Sequence, residues 1–166
     1  TTCKLCEAGK FPNGRSTECV ACAAGKFKDA TSDGDKRCDD CPKGYSRSTG
    51  QNGATSCTAC AAGKYQDQLG QQICLECIPG RDQATAGQTK CNDCDPGKYS
   101  GGFGLKCEDC PSGHYSVGKF LQYCVACAAG KFAALIGAER CDVCPTGYAG
   151  QNGATSCTAC AAGKYQ

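Results

Sequence analysis

Large apolar side chains stand singly along this chain, and no stretch keeps a helical hydrophobic period for more than about a turn. The best helical candidate is Phe132-Ala133-Ala134-Leu135-Ile136, which Gly130 and Gly137 confine to ~1 to 2 turns. What does recur is an aromatic ring shortly after a glycine. It stands two residues on in Gly9-Lys10-Phe11, Gly25-Lys26-Phe27, Gly63-Lys64-Tyr65 and Gly113-His114-Tyr115, and one residue on at Tyr45 and Tyr148. Only Gly80-Arg81-Asp82 lacks it. A second Gly or Asn-Gly falls shortly before the next unit, at Gly34, Asn52-Gly53, Gly70, Gly87, Gly137 and Asn152-Gly153, where tight turns with positive φ are expected. The pattern predicts a series of small loops or short irregular β-hairpins with little helix, each with one ring over a disulfide as its miniature core.

The glycines are in register with cysteine. Ten copies of Cys-x-x-Cys begin at Cys3, Cys19, Cys38, Cys57, Cys74, Cys91, Cys107, Cys124, Cys141 and Cys157, 16 to 19 residues apart, and use all 20 cysteines. Residues 1–166 therefore read as one continuous array of about nine to ten cysteine-rich repeats, a segment of a longer array. Units that touch only their sequence neighbours would form an elongated, solenoid-like rod. Residues 50–66, GQNGATSCTACAAGKYQ, return unchanged as residues 150–166. Duplication of that kind suits an architectural part better than a catalytic centre.

Composition agrees. Leu, Ile, Val and Phe together number 18 of 166 residues, about 11 per cent, too few for an ordinary hydrophobic core, so cross-links must hold the fold. A net charge of +2 with interspersed Lys and Asp offers no face for nucleic acid. No run is long enough to span a membrane, and the chain opens at Thr1 without a signal peptide, as a mature or cut segment would.

Three chemistries fit the cysteines. In the first, the second Cys of one pair bonds the first Cys of the next: Cys6 with Cys19, Cys22 with Cys38, Cys41 with Cys57, Cys60 with Cys74, Cys77 with Cys91, Cys94 with Cys107, Cys110 with Cys124, Cys127 with Cys141 and Cys144 with Cys157. Cys3 and Cys160 are then left open at the two ends, to pair within a longer chain or between subunits. In the second, adjacent pairs supply four thiolates to zinc, although the uniform spacing is unlike the two-by-two knuckles of zinc ribbons. In the third, each pair is a redox couple, but ten copies without a βαβ scaffold are unlike an oxidoreductase.

The unit Cys110-Pro111-Ser112-Gly113-His114-Tyr115-Ser116, leading to Cys124, resembles the ephrin-receptor-like and tumour necrosis factor receptor-like cysteine-rich repeats. The resemblance runs from Cys3 to Gln166. It implies an extracellular or cell-surface, elongated, disulfide-rich repeat fold and supports the neighbour-to-neighbour bridging. Receptors of this kind interleave a two-disulfide module that is missing here, and monotonous single loops look more like protist surface coats and flagellar hair-like filaments. The expected function is an extracellular structural protein whose partners are copies of itself or related repeat proteins in a filament or coat. The alternative is a receptor-like or antigenic ectodomain that binds a protein ligand.

Other chemistry is scarce. His114 is the only histidine and takes the place of the repeat's Lys, so neither catalytic residues nor a cofactor are expected. Asp29, Asp33, Asp35, Asp39 and Asp40 cluster without the glycine and final Glu of a calcium loop and read as solvated turn residues. No Asn-x-Ser/Thr sequon occurs, while Thr55-Ser56 and Thr155-Ser156 leave O-glycans open. Phe103, Phe120 and Leu135-Ile136 are additional to the repeat and would pack against a neighbouring chain or fill their own loops.

Overall fold

The structure, a computed structural model, describes residues 4–30, 37–47 and 53–164. Every regular element in it is a short strand, and no helix occurs among the described residues. The strands pair two by two as antiparallel hairpins, one per loop, from Lys10–Pro12 with Cys19–Ala21 through to Tyr148–Ala149 with Thr158–Ala159. In each hairpin the residues after the repeat glycine pair with the dipeptide inside the next Cys-x-x-Cys, as Lys98↔Asp109 and Tyr99↔Glu108 do. Isolated two-stranded hairpins are marginal in water. Here each is closed by the bridge beside it.

Nine loops can be numbered by the cysteines that bound them: Cys6–Cys19, Cys22–Cys38, Cys41–Cys57, Cys60–Cys74, Cys77–Cys91, Cys94–Cys107, Cys110–Cys124, Cys127–Cys141 and Cys144–Cys157. The chain divides into two compact units, Thr1–Glu76 with Gln83–Cys91, and Cys77–Asp82 with Asn92–Gln166.

In the first unit each loop is bonded through its backbone to the next. Gly9, Gly25, Gly44 and Gly63 donate their N–H groups to the carbonyls of Lys28, Arg47, Gln66 and Gln83, each three residues past the following repeat glycine. The turn residues return the bond, Gly70 N–H to Cys41 O and Gly87 N–H to Cys60 O. Contact also reaches one loop further than the sequence suggests. A side chain at Gly9, Gly25 or Gly44 would overlap the carbonyl oxygen of Gly53, Gly70 or Gly87, two loops on. The expectation that units touch only their neighbours is corrected here, because at these positions glycine lets a distant carbonyl approach the bare Cα.

The second unit repeats the scheme. Gly80, Gly97, Gly113 and Gly130 donate to Ser100, Ser116, Ala133 and Gly150, and Gly97 and Gly113 lie against the carbonyls of Gly137 and Gly153. The helical turn expected over residues 132–136 does not form. Phe132 lies in a strand, Ala133 N–H donates to Ala154 O, and Gly137 N–H donates to Cys110 O, so tertiary partners take the amides a helix would need.

The core is smaller than one ring per loop. Its fully buried side chains are the second cysteines of the pairs, Cys22, Cys41, Cys60, Cys77, Cys94, Cys110 and Cys127, with Ser100 and Ser116. The repeat aromatics are half-exposed or exposed, Tyr45 and Tyr148 most of all. Aromatic area is thus a lid on each loop, and sulfur and backbone form the interior.

Candidate functional site

The fold gathers the cysteines in a repeated geometry. Cys6–Cys19, Cys22–Cys38, Cys41–Cys57, Cys60–Cys74, Cys94–Cys107, Cys110–Cys124, Cys127–Cys141 and Cys144–Cys157 are bridged, with Cα atoms 5.6 to 5.7 Å apart. Cys77 and Cys91 are disulfide-bonded as well. Sulfurs so joined carry no thiolate for zinc or for exchange. Cys160 is a free, half-buried thiol whose amide donates to Gly147 O at 2.8 Å. Cys3 lies outside the described residues.

Each bridge follows from the local chain. The repeat glycine adopts φ near +80°, +79° at Gly97 and +80° at Gly113, which turns the chain back after the second cysteine. Its carbonyl then accepts the amide of the next pair's second cysteine, Cys110 N–H to Gly97 O and Cys127 N–H to Gly113 O, both 2.8 Å. In loops 4, 5 and 6 the far side is held by the buried residue three past the glycine. Gln66 Nε2 donates to Ile73 O at 2.7 Å and Gln83 Nε2 to Lys90 O at 2.9 Å, each carbonyl just before a closing cysteine. Ser100 Oγ donates to Leu105 O at 3.0 Å in the same role. These buried polar residues lie outside the sequence expectations. A signal existed in the middle of the array, where Gln66, Gln83, Ser100 and Ser116 stand three places after the glycine in four successive units.

The hairpin surface carries paired charges. Lys26 meets Asp40 at 2.6 Å, Lys64 meets Glu76 at 3.1 Å, Arg81 meets Asp93 at 2.7 Å and Lys98 meets Asp109 at 2.5 Å, each across the strand pair and each well exposed. His114 occupies this cation position opposite Ala126, with Nδ1 3.4 Å from Ser112 O and no carboxylate beside it. Asp40 is thus spoken for by Lys26, and no cluster of His, Cys, Asp or Glu suited to a metal occurs among the described residues. Asp33 and Asp35 lie outside them.

Loop 5 explains its missing ring. Asp82, in the aromatic's place, accepts the Cys107 amide at 3.1 Å through Oδ2, and the Phe120 ring sits 4.8 Å from the Arg81 guanidinium carbon. Phe120 itself stands where other loops have the turn glycine and holds φ +66°, strained for an aromatic residue. Phe103, Leu135 and Ile136 are well exposed and do not fill their loops.

Cross-linked loops of this size, with a sulfur interior and no helix among the described residues, define an extracellular, disulfide-laddered repeat domain. Within that class, the family model described as tyrosine-protein kinase ephrin type A/B receptor-like matches residues 9–56 and again 48–94. Together these cover more than half of the chain, and the chain belongs to this family. No curated protein is significantly similar to it.

Proposed function

We propose that this protein is a secreted structural element, a continuous array of loops that assembles with copies of itself or related repeat proteins into a filament, surface coat or flagellar hair-like appendage. The observation that carries the reading is the way loops are joined. Gly9, Gly25, Gly97 and Gly113 each bond the next loop and admit a carbonyl from the one after, by contacts that use backbone and not side chains. Such joints tolerate sequence change on the surface and allow the array to be lengthened by copying, as the repeated residues 50–66 and 150–166 suggest. Unpaired Cys160 is the group for covalent extension, to a cysteine of a following repeat or of a neighbouring subunit.

A receptor-like ectodomain is the second reading. The exposed Phe103, Tyr123, Leu135, Ile136 and Val143 favour it, since several large apolar side chains on one small unit suit protein contact. Negative-stain electron microscopy of the oxidised protein, concentrated without reductant, tests the first reading. Ordered fibres or sheets that disperse when Cys160 is replaced by Ser are expected. Single particles at all concentrations, with a monomer band alone on non-reducing gels, would overturn it.

A further inference from the structure

One surface breaks the charge pattern of the hairpins. Tyr115, Val125, Ala126, Ala128, Lys131 and Arg140 line a groove of about 270 Å³ between loops 7 and 8. Lys131 holds the position at which Lys26, Lys64, Arg81 and Lys98 each meet a carboxylate across the strands, but its register partner is Val143. Neither Lys131 nor Arg140 forms an ion pair among the described residues, although Glu139 and Asp142 are sequence neighbours and exposed. Asp142 pairs in register with Phe132, and successive strand residues face opposite ways, which turns it from the Lys131 side.

The chain contains its own control. Cys19–Phe27 and Cys124–Phe132 share the sequence CVACAAGKF, and each is followed by Arg-Cys-Asp, at Arg37 and at Arg140. The next residue differs, Asp40 in one and Val143 in the other. At the first copy Asp40 neutralises Lys26 at 2.6 Å; at the second the exposed Val143 stands opposite Lys131 and the cations stay open beside the apolar lining of Tyr115, Val125, Ala126 and Ala128.

We propose that the groove binds an acidic peptide segment of a partner protein, its carboxylate taking at Lys131 and Arg140 the place that Asp40 takes at Lys26, with a flanking apolar side chain against Val125 and the Tyr115 ring. A protein carboxylate is the favoured occupant because that is the group which fills the equivalent position in four other loops. An aliphatic flank is favoured because the acid has been exchanged for Val143 and not for a polar residue.

The test is fluorescence anisotropy with the full oxidised chain and a labelled hexapeptide of alternating Leu and Asp, against its Leu-Asn counterpart and a sulfated oligosaccharide. The Leu-Asp peptide should bind at least fivefold tighter than the Leu-Asn peptide. Val143→Asp should abolish that preference by supplying the acid in cis, and Asp40→Val should raise the stoichiometry from one peptide to two. Intact mass must show the same number of oxidised cysteines in each variant, so that loss of fold is not read as loss of binding. Equal binding of both peptides overturns the proposal, as does indifference to Val143→Asp. Tighter, Val143→Asp-sensitive binding of the oligosaccharide overturns the choice of a peptide, and self-association alone with no peptide bound does the same.

Discussion

Gly97 and Gly147 have nearly the same backbone, φ +79° and +83°, yet different surroundings. A Cβ at Gly97 would meet the Gly137 carbonyl, whereas one at Gly147 or Gly118 meets nothing within 4 Å. Alanine at Gly147 should therefore cost only the left-handed penalty of ~1 to 2 kcal/mol. At Gly97 the same change adds a steric clash with rigid backbone and should cost roughly 3 kcal/mol or more in all, at the high end for single substitutions. Gly118→Ala should be near neutral. Chemical denaturation of the three variants, with disulfides intact, reads the order directly; equal losses at Gly97 and Gly147 would dismiss the role of loop-to-loop carbonyl approach. Phe120 gives the converse case. Phe120→Ala loses the ring over Arg81 and keeps the strained φ, while Phe120→Gly loses the ring and relieves the strain, so the Ala variant should be the less stable by about 1 kcal/mol.

Hairpins depend on their bridges and little on their salt links. The Lys98–Asp109 pair is 41 and 45 per cent exposed, so Asp109→Asn should change stability by under ~1 kcal/mol. Replacing Cys110 and Cys124 together by Ser should cost about 3 kcal/mol, the chain-entropy value for a loop of this length. Its signature is local. Hydrogen exchange should quicken at Gly97 N–H, which donates to Ser116 of the opened loop, and at Gly137 N–H, which donates to Cys110. Loss of protection spread evenly over the chain would contradict loop-by-loop coupling. At this scale the sequence was most readable, because Cys spacing and the glycine offset mark each hairpin's start and its closure. The best helical candidate, Phe132–Ile136, forms no helix for a physical reason: local propensity knows nothing of Ala154 O and Cys110 O, which claim the amides of Ala133 and Gly137.

At the scale of the molecule, apolar counting pointed to cross-links as the source of order, and the buried set is mostly cysteine. What composition hid was how far each loop reaches. Contacts two loops on depend on carbonyl positions that leave no trace in side-chain pattern, and the rings, which sequence placed inside, lie half in solvent because Gln66, Gln83, Ser100 and Ser116 take the interior. The cation groove was invisible for a related reason, since Lys131 differs from Lys26 only through the residue opposite. Reduction should collapse the fold as a whole, with loss of amide protection in every loop, and a chelator should leave it unchanged. The native chain should weigh about 18 Da less than its reduced form, one hydrogen for each of the eighteen bonded cysteines among the described residues.

Because every bridge spans the chain from one pair to the next, a protease that cuts between Cys22 and Cys38, or within any other loop, leaves both fragments joined through sulfur. Between Cys6 and Cys157 the peptide bonds no bridge bypasses are those within the Cys-x-x-Cys pairs, and their inner dipeptides, Val20–Ala21 through Asp142–Val143, all lie in strands of a hairpin. Trypsin-nicked protein should accordingly run as one band without reductant and as several with it. A molecule of this design can be damaged repeatedly on its exposed turns and still transmit a pull from one end to the other.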